Sequence, residues 1–268
     1  MNWPGISADQ LHRKLKTEGE LAFLDVREQG VHAQGHPFFA VPLPLSCLEL
    51  EVERLVPRKS VPLYLLDQGD GDTLAIRAAE RLQEMGYSDI TILDGGVSGW
   101  HSAGLEIFSG VNVPSKAFGE FVEARNETPH MSAEILAEKI STGEKITILD
   151  SRPFDEYHRM CIPDGLDMPG AELVYRIFEA VQDETRTIVV NCAGRTRSII
   201  GAQSLRNAGI KNPIFALKDG TMGWYLAGKE LEHNANRIAG LPSESSLEKA
   251  IKAAKSVAQK AGVSEISC

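Results

Sequence analysis

The chain of 268 residues is long enough for two domains, and its 43% hydrophobic and 24% charged residues are typical of a soluble globular protein. A net charge of −9 argues against a general nucleic-acid binder but permits a local positive pocket. The N-terminus shows no signal-peptide pattern, and no apolar run approaches membrane-spanning length. The four cysteines are far apart in the sequence, so we expect a cytoplasmic protein without a disulfide framework or a metal site.

One sequence unit occurs twice along the chain. Three segments recur at nearly the same separation: 6–11 as 131–136, 24–27 as 149–152, and 99–100 as 223–224. A repeat of this length predicts duplicated domains rather than a solenoid. The sequence therefore predicts the following organisation: a domain at 1–108, a linker at 109–129, a second domain at 130–235, and a tail with a C-terminal helix at 236–268.

Each unit is predicted to alternate helices and strands. Ser7 and Ser132 are candidate N-caps of the first helix of each unit. In the first unit, apolar strands at 63–66 and 90–93 flank a helix at 74–85. This alternation predicts an α/β fold in which two tandem domains each have a mostly parallel central sheet flanked by helices. Ligands of such folds bind beyond the carboxyl ends of the strands.

A cysteine in the second unit lies between a predicted strand and a predicted helix. The β-branched run at 187–191 predicts a buried parallel strand, and apolar residues at helical spacing predict a helix at 198–208. Cys192 lies between them, with Arg195 and Arg197 in the same loop. The helix N-terminus and the arginines favour the nucleophilic thiolate form and would also hold an anion. The alternative is a buried, inert cysteine.

The loop from Cys192 to Ser198, Cys-Ala-Gly-Arg-Thr-Arg-Ser, resembles the active-site loop of rhodanese-type sulfurtransferases. The segments 149–152 and 220–224 resemble the flanking signatures of that family, and the chain is most similar to bacterial multi-domain, four-unit rhodanese-like proteins. The resemblance implies tandem rhodanese domains. It also implies transfer of a sulfane sulfur from thiosulfate to cyanide or a thiol acceptor through a persulfide on Cys192, with no cofactor.

The resemblance assigns a role to each loop residue. Cys192 is the expected catalytic nucleophile. The expected substrate-binding residues are Ala193, Gly194, Arg195, Thr196, Arg197 and Ser198. The loop amides would hold the persulfide charge, and the two arginines would bind the dianionic donor. Asp150 and Arg152 are expected to support the loop through a hydrogen-bonded ion pair, whereas Glu156 stands where the mitochondrial relative has a donor-binding arginine.

Two alternative functions remain open. Arg197 is the sixth loop residue counted from Cys192, whereas cysteine phosphatases and arsenate reductases place this arginine one residue later. The spacing favours sulfur transfer over that first alternative. The second alternative is a non-catalytic persulfide carrier or regulator. Cys161 is the one candidate for a resolving thiol, although a buried structural cysteine is the favoured interpretation.

The first unit differs at the position of the nucleophile. Asp67 follows Asp25 at the same separation as Cys192 follows Asp150, and the acidic loop at 67–73 would repel anions. We expect this unit to be catalytically silent and the loop to be a solvated turn rather than a calcium site, since its spacing does not fit an EF-hand.

The tail carries an apolar stripe between 247 and 261, which predicts a helix that docks on its own domains or on a partner. The last residues, 265–268, resemble the start of another unit. The expected partners are a small anionic sulfur donor and its acceptor, with no nucleic acid and no membrane.

Overall fold

The computed structural model describes residues 3–17 and 19–264 and divides into two units, 1–114 and 115–268. Each unit contains one parallel β-sheet flanked by helices, so the predicted α/β fold with two tandem domains is confirmed. The segment 265–268, including Cys268, lies outside the described residues.

The first unit forms a parallel sheet whose described strands follow the order β1-β5-β4-β2-β3. These strands are β1 (Gly5–Ile6), β2 (Ala22–Asp25), β3 (Val41–Pro42), β4 (Leu63–Leu66) and β5 (Ile90–Leu93). The helices are α1 (Ala8–Lys14), α2 (Gln29–Gln34), α3 (Leu48–Leu55), α4 (Leu74–Glu84) and α5 (Gly96–Ser102), with a 3-10 turn at Leu45–Cys47.

The second unit repeats this arrangement with the order β6-β10-β9-β7-β8, again parallel throughout the part that the structure describes. Its strands are β6 (His130–Met131), β7 (Ile146–Asp150), β8 (Leu166–Asp167), β9 (Thr187–Asn191) and β10 (Ile214–Leu217). The helices are α6 (Val113–Asn126), most of which belongs to this unit, α7 (Ala133–Ser141), α8 (Phe154–Arg159), α9 (Leu173–Ala180), α10 (Thr196–Asn207), α11 (Gly220–Leu226) and α12 (Glu244–Lys260), with a 3-10 turn at Gly170–Glu172.

Strand β9 is buried on both faces of its sheet. Successive side chains of a strand point to opposite faces. Val190 accordingly packs in the cluster that contains Ile199 of α10, whereas Val189 packs in the cluster that contains Trp224 of α11. This two-sided burial explains why the strand is a continuous apolar run, and it brings the carboxyl end of β9 to an edge covered by two helix N-termini.

The first helix of each unit begins at the predicted N-cap. The Ser7 hydroxyl accepts a hydrogen bond from the Gln10 amide at 3.4 Å, and the Gln10 side chain accepts one from the Ser7 amide at 3.2 Å. The Ser132 hydroxyl accepts from the Ile135 amide at 3.3 Å. Both N-cap predictions are therefore confirmed, and the duplicated sequence is a duplicated structure.

The C-terminal helix α12 packs against α9 of the second unit. Ser243 donates two hydrogen bonds to the Glu179 carboxylate, from its amide at 2.9 Å and from its hydroxyl at 2.6 Å. Ala250 and Ala253 are buried, while Ile251 of the predicted apolar stripe is exposed. None of the described helices combines the length and the apolar character needed to cross a membrane.

Candidate active site

Cys192 lies at the carboxyl end of β9, at the base of the loop that leads into α10. This cysteine is only 2% exposed. Arg195, at the N-cap of α10, makes no side-chain hydrogen bond to the amides of that helix. The N-terminal N–H groups of a helix carry a partial positive charge and lack partners within the helix. The cysteine therefore lies beneath a helix N-terminus that its N-cap side chain leaves open to an anion.

The Cys192 thiol donates a hydrogen bond to the Ser198 hydroxyl, with 3.6 Å between Sγ and Oγ. The Ser198 hydroxyl in turn donates to the Arg195 carbonyl at 2.7 Å, and it lies 3.4 Å from the Leu217 carbonyl. Because a serine hydroxyl both donates and accepts, it can accept from the thiol and can turn to donate to a thiolate. Ser198 thus provides a partner for either form of the cysteine.

Backbone contacts with the start of α11 hold the loop in place. The Thr221 amide donates to the Cys192 carbonyl at 2.8 Å, and the Met222 amide donates to the Ala193 carbonyl at 3.1 Å. Gly220 has a φ of +55°. A Cβ atom on Gly220 would lie 2.3 Å from the Cys192 carbonyl oxygen, so both the backbone conformation and the close approach require glycine.

A buried polar network supports the loop from the adjacent strand end. Arg152 donates two hydrogen bonds to the Asp150 carboxylate, each at 2.8 Å, and a third to the Met160 carbonyl at 2.7 Å. The Asn191 side-chain amide donates to Asp150 at 3.0 Å and to the Thr221 hydroxyl at 2.9 Å. The Thr221 hydroxyl donates to the Cys192 carbonyl at 3.1 Å. This chain of bonds connects the ion pair to the backbone of the cysteine.

The two loop arginines are paired with carboxylates outside the loop. Arg197 donates to both oxygens of Glu156 in α8, at 2.8 and 2.9 Å. Arg195 donates to both oxygens of Glu120 in α6, at 2.6 and 3.1 Å, and to Glu123 of the same helix. Both predicted donor-binding arginines therefore lie in the loop, but each already has an anionic partner.

These ion pairs shift the pKa values of both loop arginines and of Glu156. The hydrogen bonds from Arg197 lower the pKa of Glu156, against the opposing effect of its partial burial. The bonds to Glu156 raise the pKa of Arg197, and the bonds to Glu120 raise that of Arg195. Glu156, Arg195 and Arg197 are consequently ionised at neutral pH.

A cavity of about 340 Å³ lies next to the loop. Ala193 and Thr221 form its side nearest the cysteine, and Met222 and Tyr225 of α11 contribute exposed apolar surface. His233 and Arg152 also line the cavity. The cavity is large enough for a small donor or acceptor to approach the loop.

In the first unit, a carboxylate occupies the position of the thiol. Asp67 directly follows β4 and is 5% exposed. Its two carboxylate oxygens accept hydrogen bonds from the Gly69 amide at 2.9 Å and the Ala75 amide at 3.0 Å. The backbone amides of this loop and of α4 are therefore already bound to an anion that belongs to the chain itself.

The ion pair beside the loop occurs in both units. In the first unit, Arg27 donates to the two oxygens of Asp25 at 2.9 and 2.6 Å and to the Gly35 carbonyl at 2.8 Å. Bonds of the same pattern join Arg152 to Asp150 in the second unit. Because the pair persists where the cysteine is absent, its contribution to the fold does not depend on the chemistry at Cys192.

Cys161 is fully buried beside Tyr157 and Ala235. Burial raises the pKa of the Cys161 thiol to about 11, and the nearby charge of Glu232 contributes to the increase. A thiol of this kind is almost wholly protonated near neutral pH and is a poor nucleophile. The geometry agrees with the structural interpretation of Cys161 that the sequence favoured.

Sequence reasoning missed Asn191 and Thr221, although the repeat contains a signal for both. The residues in the corresponding positions of the first unit are Leu66 and Val97, because Leu66 pairs with Asp25 as Asn191 pairs with Asp150, and the Val97 amide bonds to Asp67 as the Thr221 amide bonds to Cys192. These two positions are thus polar in the unit that contains the cysteine and apolar in the unit that lacks it.

Comparison with known families gives two matches along the chain. A model described as the rhodanese-like domain matches residues 7–103 and 132–227. The chain belongs to the rhodanese-like family. Each match covers most of one structural unit, so both units are rhodanese-like domains.

The chain is also similar to solved and curated proteins. A thiosulfate sulfurtransferase from Pseudomonas aeruginosa is 50% identical, with a TM-score of 0.95 over 98% of this chain and 50% of that protein. The HTH-type transcriptional regulator Rv0324 of Mycobacterium tuberculosis is 34% identical over 38% of this chain and 44% of its own length. A putative sulfur carrier protein, YrkF of Bacillus subtilis, is 29% identical over 34% of this chain and 49% of its own length. The chain therefore aligns with about half the length of each of these relatives or less.

Proposed function

We propose that the second rhodanese-like unit is a sulfurtransferase that moves a sulfane sulfur from a donor such as thiosulfate to cyanide or a thiol acceptor. The observation that carries this proposal is the buried Cys192 thiol beneath the N-terminus of α10, which its N-cap side chain leaves uncapped. The Pseudomonas aeruginosa relative, named as a thiosulfate sulfurtransferase, supports the proposal.

The proposed reaction is a double displacement on Cys192. The thiolate attacks the outer sulfur of thiosulfate, the S–S bond of the donor breaks, and sulfite leaves with the bonding electron pair. The product is a persulfide on Cys192, whose negative charge the loop amides and the Ser198 hydroxyl stabilise. An acceptor then attacks the outer sulfur and restores the thiolate. Neither step needs an organic cofactor or a metal.

We propose distinct roles for the surrounding residues. The amides from Ala193 to Ser198, including those of Gly194 and Thr196, form the anion-binding cradle. Asp150 and Arg152 hold the cradle through the Asn191–Thr221 bonds. Arg197 provides positive charge at the donor side. The first unit, with Asp67 bound to its own loop amides, serves as a scaffold.

The test measures where sulfur is added and whether it is transferred. Thiosulfate treatment of the wild-type protein should add one sulfur atom to the peptide that contains Cys192, and cyanide should remove it as thiocyanate. Cys192→Ser should abolish both results, because serine cannot form a persulfide. Cys47→Ser is the matched control, since Cys47 lies in the first unit and is free. Full activity of Cys192→Ser, or sulfur on Cys47 or Cys161, would contradict the proposal.

The same experiment separates the two alternatives. A cysteine phosphatase or arsenate reductase would hydrolyse an aryl phosphate or reduce arsenate and would release no sulfite from thiosulfate. A persulfide carrier would gain the sulfur on Cys192 but would release it to no small acceptor. The predicted cytoplasmic location and the docking of a partner on the C-terminal helix stay predictions.

A further inference from the structure

Both loop arginines of the candidate active site are paired with carboxylates from other elements. Arg197 is bound by Glu156, and Arg195 is bound by Glu120 and Glu123. These two guanidinium groups therefore face three carboxylates. The positive charge of the two loop arginines is thus partly neutralised, and an incoming anion depends more heavily on the backbone amides.

Arg197 directly precedes Ser198, whose hydroxyl accepts a hydrogen bond from the Cys192 thiol. The hydrogen bonds that Arg197 donates to Glu156 raise the pKa of Arg197, burial opposes this, and the charges of Glu156 and Cys192 raise it further. A donor whose outer sulfur reaches Cys192 thus comes within range of Arg197. It also comes within range of Glu156, because that carboxylate contacts both terminal nitrogens of the guanidinium.

The Glu156 carboxylate opposes donors in proportion to their charge. Coulomb repulsion scales with the product of the charges, so a dianion is opposed about twice as strongly as a monoanion at the same distance. A dianion also gains most from a free guanidinium, since a planar fork of donors binds two oxygens at once. Glu156 already occupies the fork formed by the two terminal nitrogens of Arg197, so the loss falls mainly on donors such as thiosulfate.

We propose that Glu156 is a specificity-determining residue that selects sulfur donors of low negative charge, such as small-molecule persulfides, over dianionic thiosulfate. This inference rests on the proposed sulfur transfer through Cys192. With a hydropersulfide R–S–SH, the Cys192 thiolate attacks the terminal sulfur and the S–S bond of the donor breaks. R–S⁻ leaves with the electron pair of that bond, and Cys192 retains S–SH. The step needs no oxidant or reductant.

The experiment compares two donors in the wild type and in Glu156→Gln. The donors are thiosulfate and cysteine persulfide, which carries a net charge of about −1 when its persulfide group is ionised. Glutamine keeps the size of the side chain and removes its charge. We expect the KM for thiosulfate to fall about tenfold, the scale of one charge-assisted hydrogen bond, with kcat changed less than about threefold. The KM for cysteine persulfide should change less than about threefold.

Glu144→Gln is the matched control. The Glu144 side chain pairs with Lys139 at 2.7 Å and is 45% exposed, which is close to the 43% exposure of the Glu156 side chain. Glu144 precedes β7, at the opposite edge of the sheet from Cys192. Its loss should therefore leave both KM values unchanged. Added salt should reduce the difference in the KM for thiosulfate between the wild type and Glu156→Gln, because the Arg197–Glu156 pair is partly exposed and its charges are screened by ions.

Three outcomes would overturn the inference. An increased KM for thiosulfate in Glu156→Gln would show that Glu156 positions Arg197 for the dianion. An equal fall in KM for both donors would show that the residue does not discriminate by charge. Absence of sulfur on Cys192 of the wild type with either donor would contradict the proposed function itself, and the inference would fail with it.

Discussion

Replacing Asp167 with asparagine is expected to stabilise the second unit at neutral pH. Asp167 lies in β8, is 2% exposed, and pairs in register with Asp150 of β7. Its Oδ1 atom has no hydrogen-bond partner among the described residues. Burial raises the pKa of Asp167 to about 6, and the negative charges of Asp150 and Glu172 contribute to the increase.

The sign and size of the effect follow from this pKa. An aspartate in the unfolded chain has a pKa of about 3.9, so the folded state binds the Asp167 proton more tightly than the unfolded state does. Stability therefore decreases as the pH rises from about 4 to about 6. Each pKa step of one corresponds to about 1.4 kcal/mol, so the ionised carboxylate lowers the free energy of unfolding by about 3 kcal/mol above pH 6. Asparagine has nearly the same shape and avoids this cost.

Urea unfolding between pH 4 and pH 8 measures the difference. At pH 7.5, Asp167→Asn should exceed the wild type by about 3 kcal/mol, and the two free energies should converge near pH 4. Asp164→Asn is the control, because Asp164 is exposed and has a φ of +60°, which asparagine also adopts readily. A difference between Asp167→Asn and the wild type that does not vary with pH, or a less stable variant at pH 7.5, would refute the reasoning.

Two further substitutions test the division of roles between the units. Asp67→Asn should change sulfur transfer less than about threefold, since only interactions felt in the transition state alter the rate, and a hundredfold loss with intact circular dichroism would show that the first unit takes part. Asn191→Leu, which introduces the residue of the first unit, should reduce the rate of persulfide formation about tenfold through a misplaced loop and lower the free energy of unfolding by about 1–3 kcal/mol. An unchanged rate of persulfide formation would show that the Asn191–Thr221 bonds do not position Cys192.

The strand that precedes Cys192 and the N-caps of the first helices could be predicted because each depends on local sequence. A β-branched run buried on both faces is recognisable as a strand, and Ser7 and Ser132 bond to amides only three residues away. The duplication supports the prediction of these elements, since the same elements occur at matching positions in both units.

The partners of the arginines could not be predicted in the same way. Glu120 and Glu123 reach Arg195 from α6, within a segment that the sequence indicated only as a linker. Phe118 and Phe121 of that helix are exposed, so the segment shows no apolar stripe from which helical periodicity could be recognised. Ion pairs between residues distant in sequence depend on the packing of whole elements, and neither partner carries a local signal.

Gly96 and Gly220, each at the start of the helix beside its loop, bear on how a catalytically silent domain can stay folded. In the first unit, a Cβ atom on Gly96 would lie 2.5 Å from the Asp67 carbonyl oxygen, much as one on Gly220 would crowd Cys192. Gly220 thus approaches the Cys192 loop through backbone atoms, whereas Gly96 approaches both the backbone and the carboxylate of Asp67, since a Cβ atom there would lie 2.9 Å from Asp67 Oδ1. The helix amide bonds to the carbonyl of the residue at the nucleophile position in both units, so this backbone contact survives the exchange of cysteine for aspartate and a duplicated domain can lose its activity and stay folded.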